Sequence, residues 1–152
     1  MRIAVDDLTS ADVIALLDAH IAGMYADSPP ESVHSLDLAG LRAAEVTFWT
    51  ARDVGGELLG CGALKELAPD HGEIKSMRTA TPHLGRGVAS ALLLHMLDEA
   101  RRRRYVRVSL ETGSGPAFRA ARALYSKHGF EYCDPFAGYV DDPLSRFMTK
   151  VL

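Results

Sequence analysis

The chain has 152 residues, the size of one domain with a single core, and its 47% apolar and 24% charged residues are the balance of a globular protein, which excludes disorder and fibrous repeats. With 17 Lys and Arg against 20 Asp and Glu the net charge is −3, so nothing draws the chain as a whole to nucleic acid or an anionic membrane, and any anion must be bound locally. The opening MRIAVDDLTS holds no apolar run and reads as a mature amino terminus. The longest apolar stretch, around Ala89 to Leu97, is too short for a bilayer, so a cytoplasmic protein is expected. Cys61 and Cys133 stand far apart without metal-ligand spacing. They read as reduced core thiols, with a disulfide the alternative and no metal site expected.

In chain order, Arg2 to Val5 reads as a short strand. Ser10 is placed to cap a helix whose Val13, Leu16, Leu17, His20, Ile21 and Met24 recur three and four apart, and Ser28-Pro29-Pro30 ends it. A short helix is predicted over Leu38–Ala44. The alternation of Val46, Phe48 and Thr50 then opens a strand that turns back at Gly55-Gly56. The return strand runs from Glu57 to about Leu67, where Gly60 and Gly62 point to a bulge or a close backbone approach. Pro69-Asp70-His71-Gly72 turns the chain into a third strand, Glu73 to Thr79, ended by Pro82.

Gly87 to about Arg103 is the clearest helix, apolar over more than half its circumference and therefore mostly buried. His95 within it reads as a core histidine with one satisfied hydrogen bond, and Arg101 to Arg104 as a helix C-terminus complementing the dipole. Tyr105 to Leu110 is a strand, and Thr112 to Pro116 a loop whose proline opens a helix ending at Gly129. Phe130–Cys133 and Arg146–Leu152 close the chain as strands. The order β, α, α, β, β, β, α, β, α, β, β gives one α/β sandwich domain over residues 1–152.

Chemistry concentrates where EIKSMRT leads through ATPHLGRG into the buried helix. A glycine-rich turn there exposes backbone N–H groups at the positive end of the helix dipole, an anion site to which Arg86 can add a point charge. The turn lacks the Gly-Lys-Ser/Thr of a nucleotide P-loop and the third glycine of a dinucleotide fingerprint. It also follows an antiparallel run of three strands, where a dinucleotide fold would place it after its first strand.

These residues resemble the GNAT family of N-acetyltransferases along essentially the whole chain. Leu84-Gly85-Arg86-Gly87-Val88-Ala89 aligns with the family's pyrophosphate loop, and Ala121, Leu124, Tyr125, Gly129 and Phe130 complete its second signature. Leu110-Glu111-Thr112-Gly113 is similar to its fifth strand and turn, and Ser28 to His34 resembles a segment of a bacterial branch. Two positions depart from the pattern. Leu84 replaces the usual Arg or Gln, for which Arg86 or His83 can compensate, and Phe118 replaces Asn or Gln. The resemblance implies a mixed, mostly antiparallel α/β sheet of about seven strands flanked by helices on both faces, with acetyl-coenzyme A as cofactor and homodimers common. Its cofactor contacts would fall on Met77, Arg78, Thr79, Leu84, Gly85, Arg86, Gly87, Val88, Ala89 and Ser90. A backbone N–H near Met77 to Arg78 would meet the developing oxyanion.

By the same resemblance Tyr125 is the general acid toward the thiolate and Glu73 the base, with Glu111 in reserve and also a substrate contact. Ser32 and His34 would contact the acceptor, and Lys75, which has the side-chain parity of Glu73, can receive a substrate carboxylate. Each has a plain structural alternative: a core tyrosine, an exposed strand-end glutamate, a solvated loop histidine, an exposed strand lysine. The expected activity is acetyl transfer to a primary amine of a small or amino-acid-like molecule. The alternatives are acetylation of protein lysines or N-termini, which needs an open groove, and a non-catalytic acyl-coenzyme A-binding module, which would have no need of Tyr125.

Overall fold

The computed structural model describes residues 1–152. The alternating segments pair into one sheet of seven strands: β1 (Arg2–Val5), β2 (Val46–Arg52), β3 (Leu58–Ala68), β4 (His71–Thr79), β5 (Arg107–Gly113), β6 (Glu131–Cys133) and β7 (Ser145–Val151), in the order β1-β2-β3-β4-β5-β7-β6. All neighbours are antiparallel except β4 and β5. Helices α1 (Ala11–Asp27) and α2 (Leu38–Leu41) bury Val13, Leu17 and Leu41 with Phe48, Cys61 and Ala63 on one face. On the other, α3 (Val88–Arg102) and α4 (Arg119–Lys127) bury Leu92, Leu93, Met96, Leu97 and Tyr125 with Trp49, Leu64, Leu110 and Met148. The helical and strand periodicities thus converge on two apolar layers either side of one sheet. No helix is long and apolar enough to cross a membrane.

Several boundaries differ from the sequence reading for local reasons. α2 starts at Leu38 as expected, where Asp37 caps it by accepting from the Gly40 N–H at 2.8 Å, but it ends at Leu41, not Ala44: Arg42 is its C-cap, and the Arg42 side chain reaches back to the Leu8 carbonyl. β4 begins at His71, because Pro69 and Asp70 alone make the turn. β5 starts two residues late. Arg104 takes φ 64° behind α3 and Tyr105 still donates its N–H to Ala100, leaving Tyr105 to plug the core and bond Glu66. Pro116 opens a 3₁₀ turn, Pro116–Phe118, and α4 proper begins at Arg119. Ser10 stands at the N-cap of α1 but its hydroxyl makes no capping bond, lying instead within reach of Arg52. His95 is half-buried, edge-on to Trp49 with ring centroids 5.7 Å apart, and has no hydrogen bond. Both cysteines are free; Cys61 is core, whereas Cys133 is half-buried on the edge strand β6.

Two irregularities prepare the site. β4 and β5 pair only from His71↔Arg107 to Ile74↔Leu110, after which the strands part. On its other side β4 bulges against β3, where Cys61 faces Arg78 and Ala63 faces Lys75, and Ser76 within the bulge takes φ 55°, a strained value for a side chain. The expected close approach at Gly60 is present: a side chain there would strike the Arg78 carbonyl at 2.8 Å. The β4 edge from Lys75 to Thr79 therefore faces a cleft and not a partner strand.

Candidate active site

The cleft has two compartments that share a wall. The larger, about 520 Å³, runs between β4, the turn before α3, and α4. Gly85 and Gly87 sit at φ 74° and 80°, a left-handed backbone that only glycine adopts without strain, and this aims the loop outward. None of the N–H groups from Gly85 to Ser90 donates to a backbone carbonyl, and no side chain caps α3. The result is a row of free donors at a helix N-terminus, a preorganised anion cradle. Met77, Arg78, Thr79, Leu84, Gly85, Gly87, Val88, Ala89 and Ser90 all border this groove.

Arg86 does not border it. Its guanidinium turns to the Nδ1 of buried His83 at 3.3 Å, while the His83 Nε2 lies 3.4 Å from Glu57. That relay braces the loop from behind, the role that the Leu84 replacement leaves open, and Leu84 itself is 62% exposed at the groove rim. Phe118, the second departure, is buried against Gly113 and borders both compartments.

The smaller compartment, about 120 Å³, is polar. Ser32, His34, Lys75 and Glu111 converge on it from the loop after α1, from β4 and from β5. Two loops are tied together beside it: Ser32 donates to Asp142 at 2.6 Å, and the His34 ring stands edge-on to Tyr139 at 5.2 Å. Burial pushes the Glu111 carboxyl above its usual range, against the neighbouring Ser145, His34 and Lys75, which favour the anion.

Glu73 is only 3% exposed, not a strand-end surface residue, and it does not border the compartment. Its Oε2 accepts from Tyr139 at 2.5 Å and from Lys75 Nζ at 3.3 Å, and Lys75 also donates to the Tyr139 hydroxyl at 2.8 Å. Burial, with the Glu73 charge beside it, holds the Tyr139 phenol above its ordinary range. Lys75 is thus committed inside the protein, not an exposed strand lysine. Tyr139 lies on the β6–β7 connection, where Ala137 at φ 51° and the Tyr139 N–H to Phe136 make a turn that dips inward. No motif marks it in the sequence, although its ring clusters with Phe136 and Phe147 in the fold.

Tyr125, Met77, His20 and Phe118 border both compartments, so they form the neck between them. The Tyr125 ring packs edge-on to Phe130, its hydroxyl has no protein partner, and burial raises its phenol above the usual range. His20 was expected only as part of the apolar stripe of α1. Its imidazole is buried, Nδ1 is unpartnered, and burial with the nearby Arg78 charge lowers it to about 4, so it is neutral at pH 7.

Residues 13–130 match the acetyltransferase (GNAT) family. The chain is 55% identical over its full length, and that of the relative, to the uncharacterized N-acetyltransferase YsnE of Bacillus subtilis (strain 168). The chain belongs to the GNAT family. A Klebsiella pneumoniae structure assigned as an acyl-CoA N-acyltransferase matches this GNAT chain with a TM-score of 0.84 and 34% identity, covering 99% of this chain and 97% of the other. A GNAT family acetyltransferase from Elizabethkingia anophelis, solved with acetyl-CoA bound, superposes with a TM-score of 0.71 at 19% identity over 99% and 97% of the two chains, a likeness of fold. The seven-stranded mixed sheet is the architecture that the sequence resemblance implied.

Proposed function

We propose that this protein transfers an acetyl group from acetyl-coenzyme A to a primary amine of a small molecule, by direct attack of the amine on the thioester, in the cytoplasm. The observation that carries the reading is the shared neck: an anion-cradling groove and a polar pocket meet at Met77 and Tyr125, where β4 and β5 part. The groove fits coenzyme A, since the free N–H groups from Gly85 to Ser90 suit a pyrophosphate and the unpaired β4 edge suits an extended amide-bearing arm. When bound, the cofactor supplies an activated acetyl thioester.

The side chains then divide the work. Glu111 faces the pocket, and its raised pKa suits a group that takes the proton from an incoming ammonium, whereas Glu73 is sealed behind Lys75 and Tyr139 and positions them. Tyr125, with an uncommitted hydroxyl at the neck, holds the proton that the departing thiolate needs. The backbone near Met77 and Arg78 lies where charge develops on the carbonyl oxygen. A pocket of about 120 Å³, near the size that holds one benzene-sized molecule, favours a small acceptor over a polypeptide.

The test is direct. Acetyl-coenzyme A should raise the melting temperature by mass action, and free thiol should be released with small amines. No shift at millimolar cofactor, or release with peptides alone, would overturn the reading.

A further inference from the structure

Three buried side-chain polar atoms in the molecule have no hydrogen-bond partner: His20 Nδ1, Ser76 Oγ and Ser145 Oγ. Two of them share one cavity: His20 and Ser76 border the small compartment, whereas Ser145 lies outside it, beside Glu111. Buried polar groups are almost always satisfied, so two exceptions on the wall of one cavity mark where a ligand's own polar atoms complete the bonding. Ser76 is moreover held there by a strained backbone at φ 55°, which packing must maintain.

The charges around the cavity say what kind of ligand this is. One carboxylate, Glu111, and one ammonium, Lys75, line it, and that ammonium is already matched by Glu73 behind the wall and hydrogen-bonded to Tyr139. Of the two histidines on the wall, His20 is neutral and His34 stands edge-on to Tyr139, while Arg78 borders the groove and not this compartment. A second anion would enter facing Glu111 with no free ammonium or guanidinium on the wall to receive it, whereas an ammonium is welcome. The unpartnered groups on the wall, an imidazole nitrogen and a hydroxyl, are dipoles that suit an uncharged hydroxyl or amide.

We infer that the acceptor is a primary amine whose second polar group is an uncharged hydroxyl or amide seated against His20 and Ser76, and that α-amino acids with a free carboxylate are discriminated against. This rests on the acetyltransferase reading above, and it departs from the expectation that Lys75 receives a substrate carboxylate.

The experiment compares four amines of similar size in acetyl-coenzyme A-dependent thiol release: glycinamide, ethanolamine, glycine and propylamine. Glycinamide or ethanolamine should exceed both glycine and propylamine in kcat/KM by about tenfold or more, because a site built to bond a polar group discriminates against analogues that leave it unpaired. His20→Leu and Ser76→Gly should each collapse the preference over propylamine toward unity. A retained melting-temperature rise with acetyl-coenzyme A shows that fold and groove survive; if a variant does not fold, the wild-type series decides alone. Glycine equal to or better than glycinamide overturns this inference and leaves the acetyltransferase reading standing. Propylamine equal to the polar amines overturns it as well. No release with any amine, while acetyl-coenzyme A still raises the melting temperature, overturns the small-amine reading and this inference with it.

Discussion

The two compartments of the cleft are built from different materials. The polar groups of the groove are mostly backbone: a glycine turn, the first amides of α3 and the free edge of β4, in one continuous stretch from Met77 to Ser90 that faces α1 and α4 across the groove. The pocket is mostly side chain, gathered from α1, the loop after it, two diverging strands and the segment from Phe118 to Tyr125, with Tyr139 of the β6–β7 connection holding Lys75 from behind. A backbone site tolerates many side chains and fixes a ligand shape common to a whole family. A side-chain site can be rebuilt by changing loops, so it sets what is particular to one member. Substitutions in the two compartments should therefore fail in different ways: cofactor affinity on one side, acceptor turnover on the other, and both steps only at the neck.

The neck gives the largest expected effect. Tyr125→Phe removes a hydroxyl that bonds nothing in the protein, so the melting temperature and cofactor affinity should hardly move. Turnover should fall about a hundredfold or more, the usual cost of losing a positioned general acid. Wild-type turnover, measured where chemistry limits the rate, would remove Tyr125 from the reaction and leave it as packing beside Phe130.

On the pocket side, Glu111→Gln should lower turnover by about a hundredfold with cofactor affinity unchanged. The pH profile sharpens this. Turnover requires the carboxylate ionised, and burial raises its pKa, so activity should be lost as pH falls through a value above the usual carboxylate range. The glutamine variant should lose that acid limb. If the limb stays where it was, another group or solvent takes the proton.

That contrast also explains what the sequence revealed. Gly85, Gly87 and the apolar face of α3 are contiguous, and each has a local physical meaning, so the groove and its position between strand and helix were legible. The sheet followed from alternation and turns, and strand starts moved by a couple of residues, as at His71 after the turn and behind the left-handed Arg104. Tyr139 was invisible because it meets Glu73 across 66 residues, through a turn with no glycine at its left-handed residue, Ala137. The burial of Glu73, the commitment of Lys75 and the isolation of His20 are likewise products of packing between distant elements. Arg86 was assigned outward because its charge suits an anion, and His83, buried by a 3₁₀ turn, claims it instead.

On the groove side, Gly87→Val should act chiefly through conformation, since a Cβ there meets no atom within 4 Å. At φ 80° a β-branched residue is strained by about 1–2 kcal/mol, which relaxes by turning the amides away from the ligand. Acetyl-coenzyme A affinity should drop about tenfold or more, while the relative rates among acceptor amines at saturating cofactor stay as in the wild type. A changed acceptor preference would show that the compartments are not independent.

The smallest effect should come from outside both compartments. Arg104 directly follows Arg103, the C-cap of α3, and its backbone sits at φ 64°, in the left-handed region where glycine is the favoured residue. Its own N–H already closes the helix end on the Arg101 carbonyl at 2.9 Å, and its side chain is exposed without a partner. Arg104→Gly therefore removes strain and one solvated charge, at the expense of a more flexible unfolded chain. The first term should win narrowly, stabilising the protein by about 0.5–1 kcal/mol and raising the melting temperature by a few degrees. Cofactor affinity and acceptor turnover should both be unchanged, because the helix end lies opposite the N-terminus that forms the cradle. A shift in either would mean that the position of α3 is tuned from its far end, and that the groove depends on more than the stretch from Met77 to Ser90.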